Sequence, residues 1–346
     1  MSKNPGKYIA LTGINATDNP GPGVPIARSL KESSPNLPLI GLSYDPHDPG
    51  NYMDFLFNST YSLPYPTQGW DRLLQSVLEV RKKHEIQLLI PSLDVELPLF
   101  IQNAPQLKSL GIETFLPTAE QFNLRSKDTL AKMGSSLGLR YPKTIVVNSI
   151  EELTSTIETE ISLPCVVKGK YYKAYIVYNV SQAVLKFTEI SDEWGFPILL
   201  QEVVTGTEVN LIGLGDGLGE SCGMVAIKKL RTTHLGKIWS GVTLHAPELM
   251  DLGQRFIQRT KWRGPFELEC IQSSDGLYLI EVNPRFPAWV YFATAIGINL
   301  PQRLVDLVLT GQCNRKSDFP SGKFFVRYTY EIVTDLENFH RLSVQP

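Results

Sequence analysis

The stretch GLYLIEVNPRFPAW, residues 276–289, starts as a buried strand and ends in a set of polar side chains. Residues 277–280 are apolar or aromatic, and Glu281, Asn283 and Arg285 follow them without a break. Because side chains alternate across a strand, Glu281 and Asn283 leave the same face. An apolar strand that ends in this set predicts a functional site at its carboxyl end.

A second acidic strand, PFELECIQ at residues 265–272, precedes this one, and the turn at residues 273–276 joins the two. The pair predicts an antiparallel hairpin that brings Glu269 close to Glu281 on one face. Two carboxylates and an amide oxygen would repel unless a cation lay between them, and Mg²⁺ prefers oxygen ligands. We therefore predict that Glu269, Glu281 and Asn283 bind a metal. The alternative is a solvated hairpin with salt bridges.

Cations near this hairpin indicate a ligand that carries phosphate. Arg285 follows Pro284, which ends the ladder, and its planar fork suits phosphate or carboxylate. Lys168 ends the apolar strand at residues 164–167, which aims its charge into a cleft. A lysine that reaches out to solvent is the alternative. The next strand, at residues 199–205, leads into Gly206 and Glu208, where a backbone edge could bind adenine and the carboxylate could bind ribose.

The first third of the chain alternates strand and helix patterns. Short apolar strands are predicted at residues 8–11, 37–43, 88–90 and 114–116, and an amphipathic helix at residues 70–84. Continuous apolar strands separated by helices predict a parallel sheet covered on both faces. Gly21 and Gly23 follow the first strand at the place where such a sheet binds ligands, but GxGxxG is incomplete. Dinucleotide binding and a glycine-rich turn are the two interpretations.

The rest of the chain has a different pattern of predicted strands and helices. A helix is predicted at residues 127–138, and strands at 144–147, 165–168 and 175–178 surround one helix at 150–161. From residue 198 the segments are mostly strands, with helices near 247–260 and 293–310. We therefore predict a parallel α/β domain at residues 1–124, a small lid subdomain at 125–197 and a largely antiparallel α+β body at 198–346.

Composition excludes several classes of protein. The 346 residues carry a formal net charge of −2, so no basic field attracts nucleic acid or acidic lipid. The four cysteines lie far apart without a CxxC pair, which predicts buried reduced thiols and neither a disulfide nor a zinc site. The first residues are too polar for a signal peptide, and no run approaches the roughly 20 apolar residues of a membrane span. We expect a cytoplasmic protein.

With these residues in place, the chain resembles the ATP-grasp superfamily, most nearly the carbamoyl phosphate synthetase large chain and the amino-acid ligases. The resemblance covers nearly the whole chain in order. It implies a Rossmann-like N-terminal domain, a lid subdomain and a C-terminal α+β body, with ATP gripped between the last two. The nucleotide-binding residues that it implies are Lys127 and Lys168 for the phosphates, Glu202, Val203 and Val204 for adenine, and Glu208 for ribose.

The resemblance also implies a catalytic centre. The residues concerned are Glu269, Glu281 and Asn283 as ligands of Mg²⁺, which Mn²⁺ could replace, Arg285 beside the transferred phosphoryl group, and Lys228 and Lys237 as further cations. Lys229 would alternate to the opposite face from Lys228 and is expected to be solvated. One departure concerns the loop KGKYYKAY, residues 168–175, which has a single glycine where the family often has a glycine-rich lid. Lys170 and Lys173 could replace the missing backbone contacts with charge.

The reaction that the resemblance implies joins a small carboxylate to an amine, for example an amino acid or peptide. ATP converts the carboxylate to an acyl phosphate, the amine displaces phosphate, and ADP and phosphate are released. A bicarbonate-activating enzyme that forms carbamoyl phosphate or carboxyphosphate is an alternative, and a non-catalytic nucleotide-binding regulator is another. Relatives are often dimers, so a homodimer is expected.

The substrate pocket is expected to combine parts of the N-terminal domain with residues after the metal-binding strand. Candidate segments are residues 15–23, 92–96 and 285–291. Asp94 and Glu96 follow a buried strand at the carboxyl edge of the sheet, where they could bind a substrate ammonium group or cap the next helix. The aromatic side chains of Phe286, Trp289, Tyr291 and Phe292 could line an apolar pocket or pack in the core.

Overall fold

The structure is a computed structural model, and it describes residues 7–17, 19–126, 130, 134–169, 173–233 and 236–343. Half of the predicted helix at residues 127–138 lies outside these ranges, and Lys127 and Lys170 lie outside them as well. None of the described helices is long and apolar enough to cross a membrane.

Strands and helices follow the chain in the order below. The strands are β1 (Tyr8–Leu11), β2 (Leu39–Ser43), β3 (Ser59–Ser62), β4 (Ile86–Ile90), β5 (Thr144–Val147), β6 (Cys165–Gly169), β7 (Ala174–Val177), β8 (Ile198–Glu202), β9 (Thr207–Asp216), β10 (Ser221–Thr232), β11 (Ile238–Thr243), β12 (Arg263–Ser273), β13 (Gly276–Asn283) and β14 (Phe324–Val326). The helices are α1 (Gly23–Ser33), α2 (Trp70–Lys83), α3 (Leu97–Ser109), α4 (Ala119–Asn123), α5 (Ile150–Thr159), α6 (Val180–Trp194), α7 (Pro247–Thr260), α8 (Val290–Ala295), α9 (Leu300–Thr310) and α10 (Leu336–Ser343).

The contacts between Cα atoms divide the chain into two compact units. The larger unit holds Met1–Phe122, Asn210–Leu268 and Val282–Pro346, and the smaller unit holds Asn123–Val209 and Glu269–Glu281. The three-domain division expected from the sequence stays a prediction.

A parallel sheet with the strand order β3-β2-β1-β4 forms one part of the larger unit. The strands β1, β2 and β4 are buried on both faces. One face packs against a core that contains Ile9 and Leu11, and the other against a core that contains Ala10 and Ile40. The predicted parallel α/β arrangement is confirmed. The strand predicted at residues 114–116 is wrong, because only an isolated bridge from Leu88 to Glu113 forms there. The third strand is β3, whose sequence STYS carries no apolar run.

A larger sheet has the strand order β13-β12-β9-β10-β11-β14, and the pairings of β10 with β11 and of β11 with β14 are antiparallel. Helix α7 packs on one face, where Gly253 contacts Leu211 and Met224. The other face shares one core with helices α8 and α9 and includes Ile212, Leu214 and Ile227. This is the largely antiparallel body that the sequence predicts, with α8 and α9 in place of one helix at residues 293–310.

The smaller unit contains an antiparallel sheet with the order β5-β8-β6-β7. Helices α5 and α6 begin at the serine and asparagine caps Ser149 and Asn179, whose side chains accept backbone N–H groups. Both helices cover one sheet face, where Val167 and Leu200 belong to the core. The sequence predicts only the first helix, and α6 is an addition.

The cysteines differ from the prediction in one respect. Cys222 on β10 and Cys313 after α9 form a disulfide, with their Cα atoms 6.0 Å apart. Cys165 and Cys270 are buried free thiols, as predicted. The expectation that no disulfide forms is therefore wrong, because folding brings together two residues that are 91 positions apart in the sequence.

Candidate functional site

A buried carboxylate on β12 organises the first group of polar side chains in the larger unit. Glu267 is 3% exposed. Its Oε1 accepts hydrogen bonds from Asn210 Nδ2 at 2.8 Å and Trp289 Nε1 at 2.7 Å, and its Oε2 accepts one from Asn283 Nδ2 at 3.1 Å. These neutral donors fix the carboxylate without neutralising its charge. We call Asn210, Glu267, Asn283, Arg285 and Trp289 the Glu267 cluster.

Arg285 lies against the same carboxylate. Its Nη1 is 3.8 Å from Glu267 Oε2, and its Nη2 donates to Asn283 Oδ1 at 3.3 Å. Its Nε donates to Asp94 Oδ2 at 3.0 Å. Only 11% of the Arg285 side chain is exposed, so the guanidinium is fixed from three sides. A fixed guanidinium of this kind suits an anionic group of defined geometry.

The donor atoms of the Glu267 cluster fit a hard cation. The Oδ1 atom of Asn210 is buried and accepts no hydrogen bond from any described residue, although its Nδ2 is bonded to Glu267. An acceptor left buried without a partner is destabilising, and a cation would compensate it. Carboxylate and amide oxygens are ligands that Mg²⁺ takes. Within the described ranges, no three histidine, cysteine or acidic side chains are grouped closely enough to hold a metal, so amide oxygens would have to contribute.

The two predicted acidic ligands lie on β12 and β13, in the smaller unit. Glu269 is half-buried and Glu281 is exposed. Because Glu267 and Asn283 are hydrogen-bonded to each other, their side chains lie on the same face of β12 and β13. Glu269 and Glu281 are two residues away on these strands, so their side chains lie on that face as well. Asn283, which is buried, belongs to the Glu267 cluster. Sequence analysis missed Glu267, although its place two residues before Glu269 on the same predicted strand was a signal.

A second polar group lies in the smaller unit on β6, β8 and β5. Lys168 is 6% exposed, and its Nζ donates to Gln201 Oε1 at 2.8 Å. Gln201 Nε2 in turn donates to Thr144 Oγ1 at 2.6 Å. Burial lowers the pKa of Lys168 to about 8, and the negative charge of Glu281 acts in the opposite direction. A buried ammonium beside these neutral partners is suited to an anionic ligand.

The sheet face that carries Lys168 is not the one that α5 and α6 cover. Val146 on β5 and Ile176 on β7 belong to this face by register and are 48% and 53% exposed. An apolar surface around a cation suits a flat aromatic ring that carries phosphates.

The segment after β8 was predicted to contact adenine and ribose. Glu202 and Val203 line a cavity of about 350 Å³ with Thr205 and residues 160–164. The Glu202 carboxylate accepts the backbone N–H of Lys143 at 2.8 Å. Val204 is half-buried and Glu208 is exposed on β9. Gly206 packs so tightly that a Cβ there would lie 2.4 Å from the carbonyl oxygen of Gln272, which fixes the path of this segment. The nucleotide roles of these residues stay predictions.

The predicted additional cations are distributed differently from expectation. Val225 and Ile227 share the core with Ile212, and the regular register continues to Lys229. Lys229 therefore lies on the face that carries Asn210, and Lys228 lies on the opposite face. The two lysines lie on opposite faces, as predicted, but Lys228 is exposed and Lys229 is half-buried, which is the reverse of the solvation expected from the sequence. Lys237 is half-buried beside the turn where its backbone N–H bonds Thr233 Oγ1 at 3.1 Å.

The lid loop is described only in part. Lys173 forms ion pairs with Glu189 and Glu193 on α6. The charge of Lys173 is thus already paired within the smaller unit. This pairing does not support the hypothesis that Lys173 replaces the backbone contacts of a glycine-rich loop.

The two acids after β4 are both hydrogen-bonded within the larger unit. Glu96 is fully buried and accepts hydrogen bonds from Thr12 and Tyr44 and from the backbone N–H groups of Ser92 and Leu93. Burial raises its pKa, and these donors lower it. Glu96 therefore stabilises the loop that precedes α3, and Asp94 is bonded to Arg285. Of the aromatic candidates, Phe286, Trp289 and Phe292 pack in the core.

Comparison with known proteins concerns the fold of the chain. Residues 196–331 match the family model described as "ATP-grasp in the biosynthetic pathway with Ter operon". Solved structures share the fold over about nine-tenths of the chain. The chain has the ATP-grasp fold, and residues 196–331 are similar to this ATP-grasp family. The predicted ATP-grasp fold is confirmed.

Three similar ATP-grasp structures are 14–16% identical to the chain. The biotin carboxylase domain of the 2-oxoglutarate carboxylase of Hydrogenobacter thermophilus, solved with MgADP, ADP and bicarbonate, is 16% identical with a TM-score of 0.67, over 92% of this chain and 73% of that one. N5-carboxyaminoimidazole ribonucleotide synthetase from Thermus thermophilus is 14% identical with a TM-score of 0.64, over 90% and 79%. The L-amino acid ligase from Bacillus licheniformis is 15% identical with a TM-score of 0.65, over 89% and 75%. No curated protein sequence matches the chain significantly.

Proposed function

We propose that this ATP-grasp protein is an ATP-dependent carboxylate–amine ligase that forms an amide or peptide bond. The observation that carries the proposal is the Glu267 cluster, in which a fixed carboxylate, two amides and a braced guanidinium meet in one buried group. A ligand with both phosphates and a bound Mg²⁺ requires this combination of oxygen donors and cations. The buried Lys168 supplies a further cation.

The residues have distinct tasks in this proposal. Lys168 binds the nucleotide phosphates, and the apolar face around it holds the adenine. Glu267 and the amide oxygens of Asn210 and Asn283 would bind Mg²⁺. Glu269 and Glu281 stay the metal ligands that the sequence predicts. Bound Mg²⁺ would neutralise charge on the phosphates, and Mn²⁺ is proposed as a substitute. Arg285 orients the transferred phosphoryl group and the acyl phosphate.

The proposed reaction has two steps. A carboxylate oxygen of the first substrate attacks the γ-phosphorus of ATP, the bond to the bridging oxygen breaks, and ADP leaves. The amine nitrogen of the second substrate then attacks the acyl carbon, phosphate leaves with the bonding electron pair, and the nitrogen loses a proton. Acyl phosphates hydrolyse readily, so exclusion of water during the first step is required. Small carboxylates and amines, such as amino acids or peptides, are the proposed substrates.

A bicarbonate-activating enzyme is the second candidate. It is favoured by one observation, that a structure similar to this chain was solved with MgADP and bicarbonate. In this case Arg285 would orient bicarbonate and the carboxyphosphate formed from it.

The test measures ADP and phosphate release from MgATP with pooled amino acids, other small carboxylates, amines and bicarbonate. Glu281→Ala and Glu267→Gln are the test variants, and Glu120→Ala, at an exposed position, is the matched control. Release that needs a carboxylate and an amine together, and is lost in both test variants, supports the ligase. Release with bicarbonate alone supports the second candidate. MgATP binding without release above the variants supports a nucleotide-binding regulator instead.

A further inference from the structure

A chain of hydrogen bonds starts at Lys168 and continues across the sheet face that carries it. Lys168 Nζ donates to Gln201 Oε1 at 2.8 Å, Gln201 Nε2 donates to Thr144 Oγ1 at 2.6 Å, and Thr144 Oγ1 donates to the carbonyl oxygen of Pro142 at 2.8 Å. Gln201 is 4% exposed. The three side chains lie on β6, β8 and β5, which are neighbours in one sheet.

The direction of this chain is fixed at its far end. The carbonyl oxygen of Pro142 can only accept, so the Thr144 hydroxyl donates its proton there and offers a lone pair to Gln201. The amide nitrogen of Gln201 must therefore face Thr144, and its amide oxygen must face Lys168. A flipped amide would place two donors against each other at the ammonium. Thr144 thus determines which atom Gln201 presents to Lys168.

The acceptor that holds Lys168 is neutral, in contrast to the partners of other lysines in the smaller unit. Lys143 pairs with Glu160 at 2.5 Å, and Lys186 pairs with Glu189 at 2.6 Å. A carboxylate in the place of Gln201 would form a stronger hydrogen bond but would also neutralise the ammonium. An amide oxygen fixes the position of Nζ and leaves its positive charge available to an anion.

We propose that Gln201, oriented by Thr144, is a positioning residue that holds the Lys168 ammonium in place for the phosphates of the nucleotide. The inference rests on the proposed function, because it assumes that Lys168 binds those phosphates. It names two residues, Gln201 and Thr144, that act through Lys168.

The experiment measures binding of MgADP and of adenosine to the full chain by equilibrium dialysis. The Gln201→Met variant keeps the side-chain volume and removes the acceptor, and we expect it to weaken MgADP binding about tenfold. Its affinity for adenosine should stay within about twofold, because adenosine has no phosphate for Lys168 to bind. Lys168→Met is the reference for complete loss of the ammonium.

Two further comparisons separate positioning from general structural support. Gln201→Glu keeps an acceptor for Lys168 but adds a charge, and we expect it to weaken MgADP binding despite a stable fold. Thr144→Val removes the hydroxyl that orients Gln201 and should weaken MgADP binding, whereas Thr144→Ser retains the hydroxyl and should restore it. Thermal unfolding of each variant shows whether it is folded. If Gln201→Met does not fold, the comparison of Thr144→Val with Thr144→Ser tests the positioning role instead.

The outcomes are distinguishable. Absence of MgADP binding in the unaltered protein would contradict the proposed function itself. Binding by the unaltered protein that Gln201→Met and Thr144→Val leave unchanged would overturn the positioning role alone. Equal loss of adenosine and MgADP affinity would also overturn it, because a structural role would affect both ligands.

Discussion

Arg285 Nε donates a hydrogen bond to Asp94 Oδ2 at 3.0 Å, which joins two residues that are 191 positions apart in the sequence. Asp94 lies in the loop between β4 and α3, and Arg285 follows β13. The acid that the sequence suggested for a substrate ammonium group is thus bonded to the cation that we propose for the phosphoryl group. Asp94 fixes the orientation of the guanidinium, which Glu267 and Asn283 contact from the other side.

The first prediction concerns this pair. Asp94→Asn removes the charge but retains a group of similar shape, and the Arg285 guanidinium should become less well fixed. We expect turnover, measured as ADP release with the active substrates, to fall about tenfold. MgADP affinity should change little, because Asp94 does not contact the nucleotide in our proposal. Asp54→Asn, at an exposed position in the same unit, is the control, and an equal effect in the two variants would contradict the prediction.

The second prediction decides which acid of β12 matters most for the metal. Glu267 is buried and bonded to three neutral donors, and Glu269 is half-buried. Glu267→Gln should raise the Mg²⁺ concentration needed for half-maximal ADP release by about 10- to 100-fold. Glu269→Gln, the same change two residues away, should have the smaller effect. A larger effect at Glu269 would favour the ligand set expected from the sequence.

The sequence predicts the hairpin well because the signals are local. An apolar strand, a turn with Gly276 and a second apolar strand lie within about twenty residues of each other, and Gly276 adopts φ of +139° in the turn. Local signals do not show which of the two acids on this face, Glu267 or Glu269, becomes buried. It depends on Asn210 and Trp289, which reach Glu267 from distant parts of the sequence.

The wrong expectation about which lysine of β10 is solvated has a related cause. Residues 221–227 of this strand are buried on both faces, so the pattern of apolar residues does not alternate and carries no information on which face is which. The register with β11 and the core shared with Ile212 decide it. The disulfide between Cys222 and Cys313 was missed for the same reason, since only tertiary structure brings the two residues together.

The third prediction follows from that correction. Lys229 shares a face with Asn210, whereas Lys228 is exposed on the opposite face. Lys229→Ala should raise the KM for MgATP by about threefold to tenfold, because a cation near the proposed phosphates is lost. Lys228→Ala removes the same charge from the neighbouring residue and should leave the KM unchanged. The reverse order of effects would restore the assignment made from the sequence.

The fourth prediction separates the stability of the fold from the local structure around the disulfide. The bond closes a loop between residues 91 positions apart, and its loss should lower the free energy of unfolding by about 2–4 kcal/mol. Arg315 is also bonded to Asp216 at 3.0 Å, and the Met224 N–H bonds Ser317 Oγ at 3.0 Å. When the disulfide is reduced, the segment after Cys313 should therefore keep its position in the fold.

Urea unfolding with and without reductant measures the first effect, and limited proteolysis measures the second. The double variant Cys222→Ser with Cys313→Ser is the control and should show no effect of reductant. Rapid cleavage at residues 311–323 after reduction would show that the disulfide alone holds the segment.

The fifth prediction concerns Asp48, which lies in the loop after β2. Burial, together with the negative charge of Asp45, raises the pKa of Asp48 to about 6. In the unfolded chain its pKa returns to about 3.8, so between these values the folded state binds more protons than the unfolded state. The stabilising contribution of protonated Asp48 is complete below about pH 4 and is lost as the pH rises through about 6.

Asp48→Asn keeps the shape and removes the ionisable group, so it should remove this component of the pH dependence. At pH 7 the variant should be more stable than the unaltered protein by on the order of 1 kcal/mol, after allowance for solvent screening. At pH 4 the difference should be small, because Asp48 is then protonated in the folded state and about half protonated in the unfolded chain. Urea unfolding at several values between pH 4 and 8 measures the difference, and a variant that is less stable at pH 7 would show that the carboxylate makes stabilising contacts that outweigh its burial.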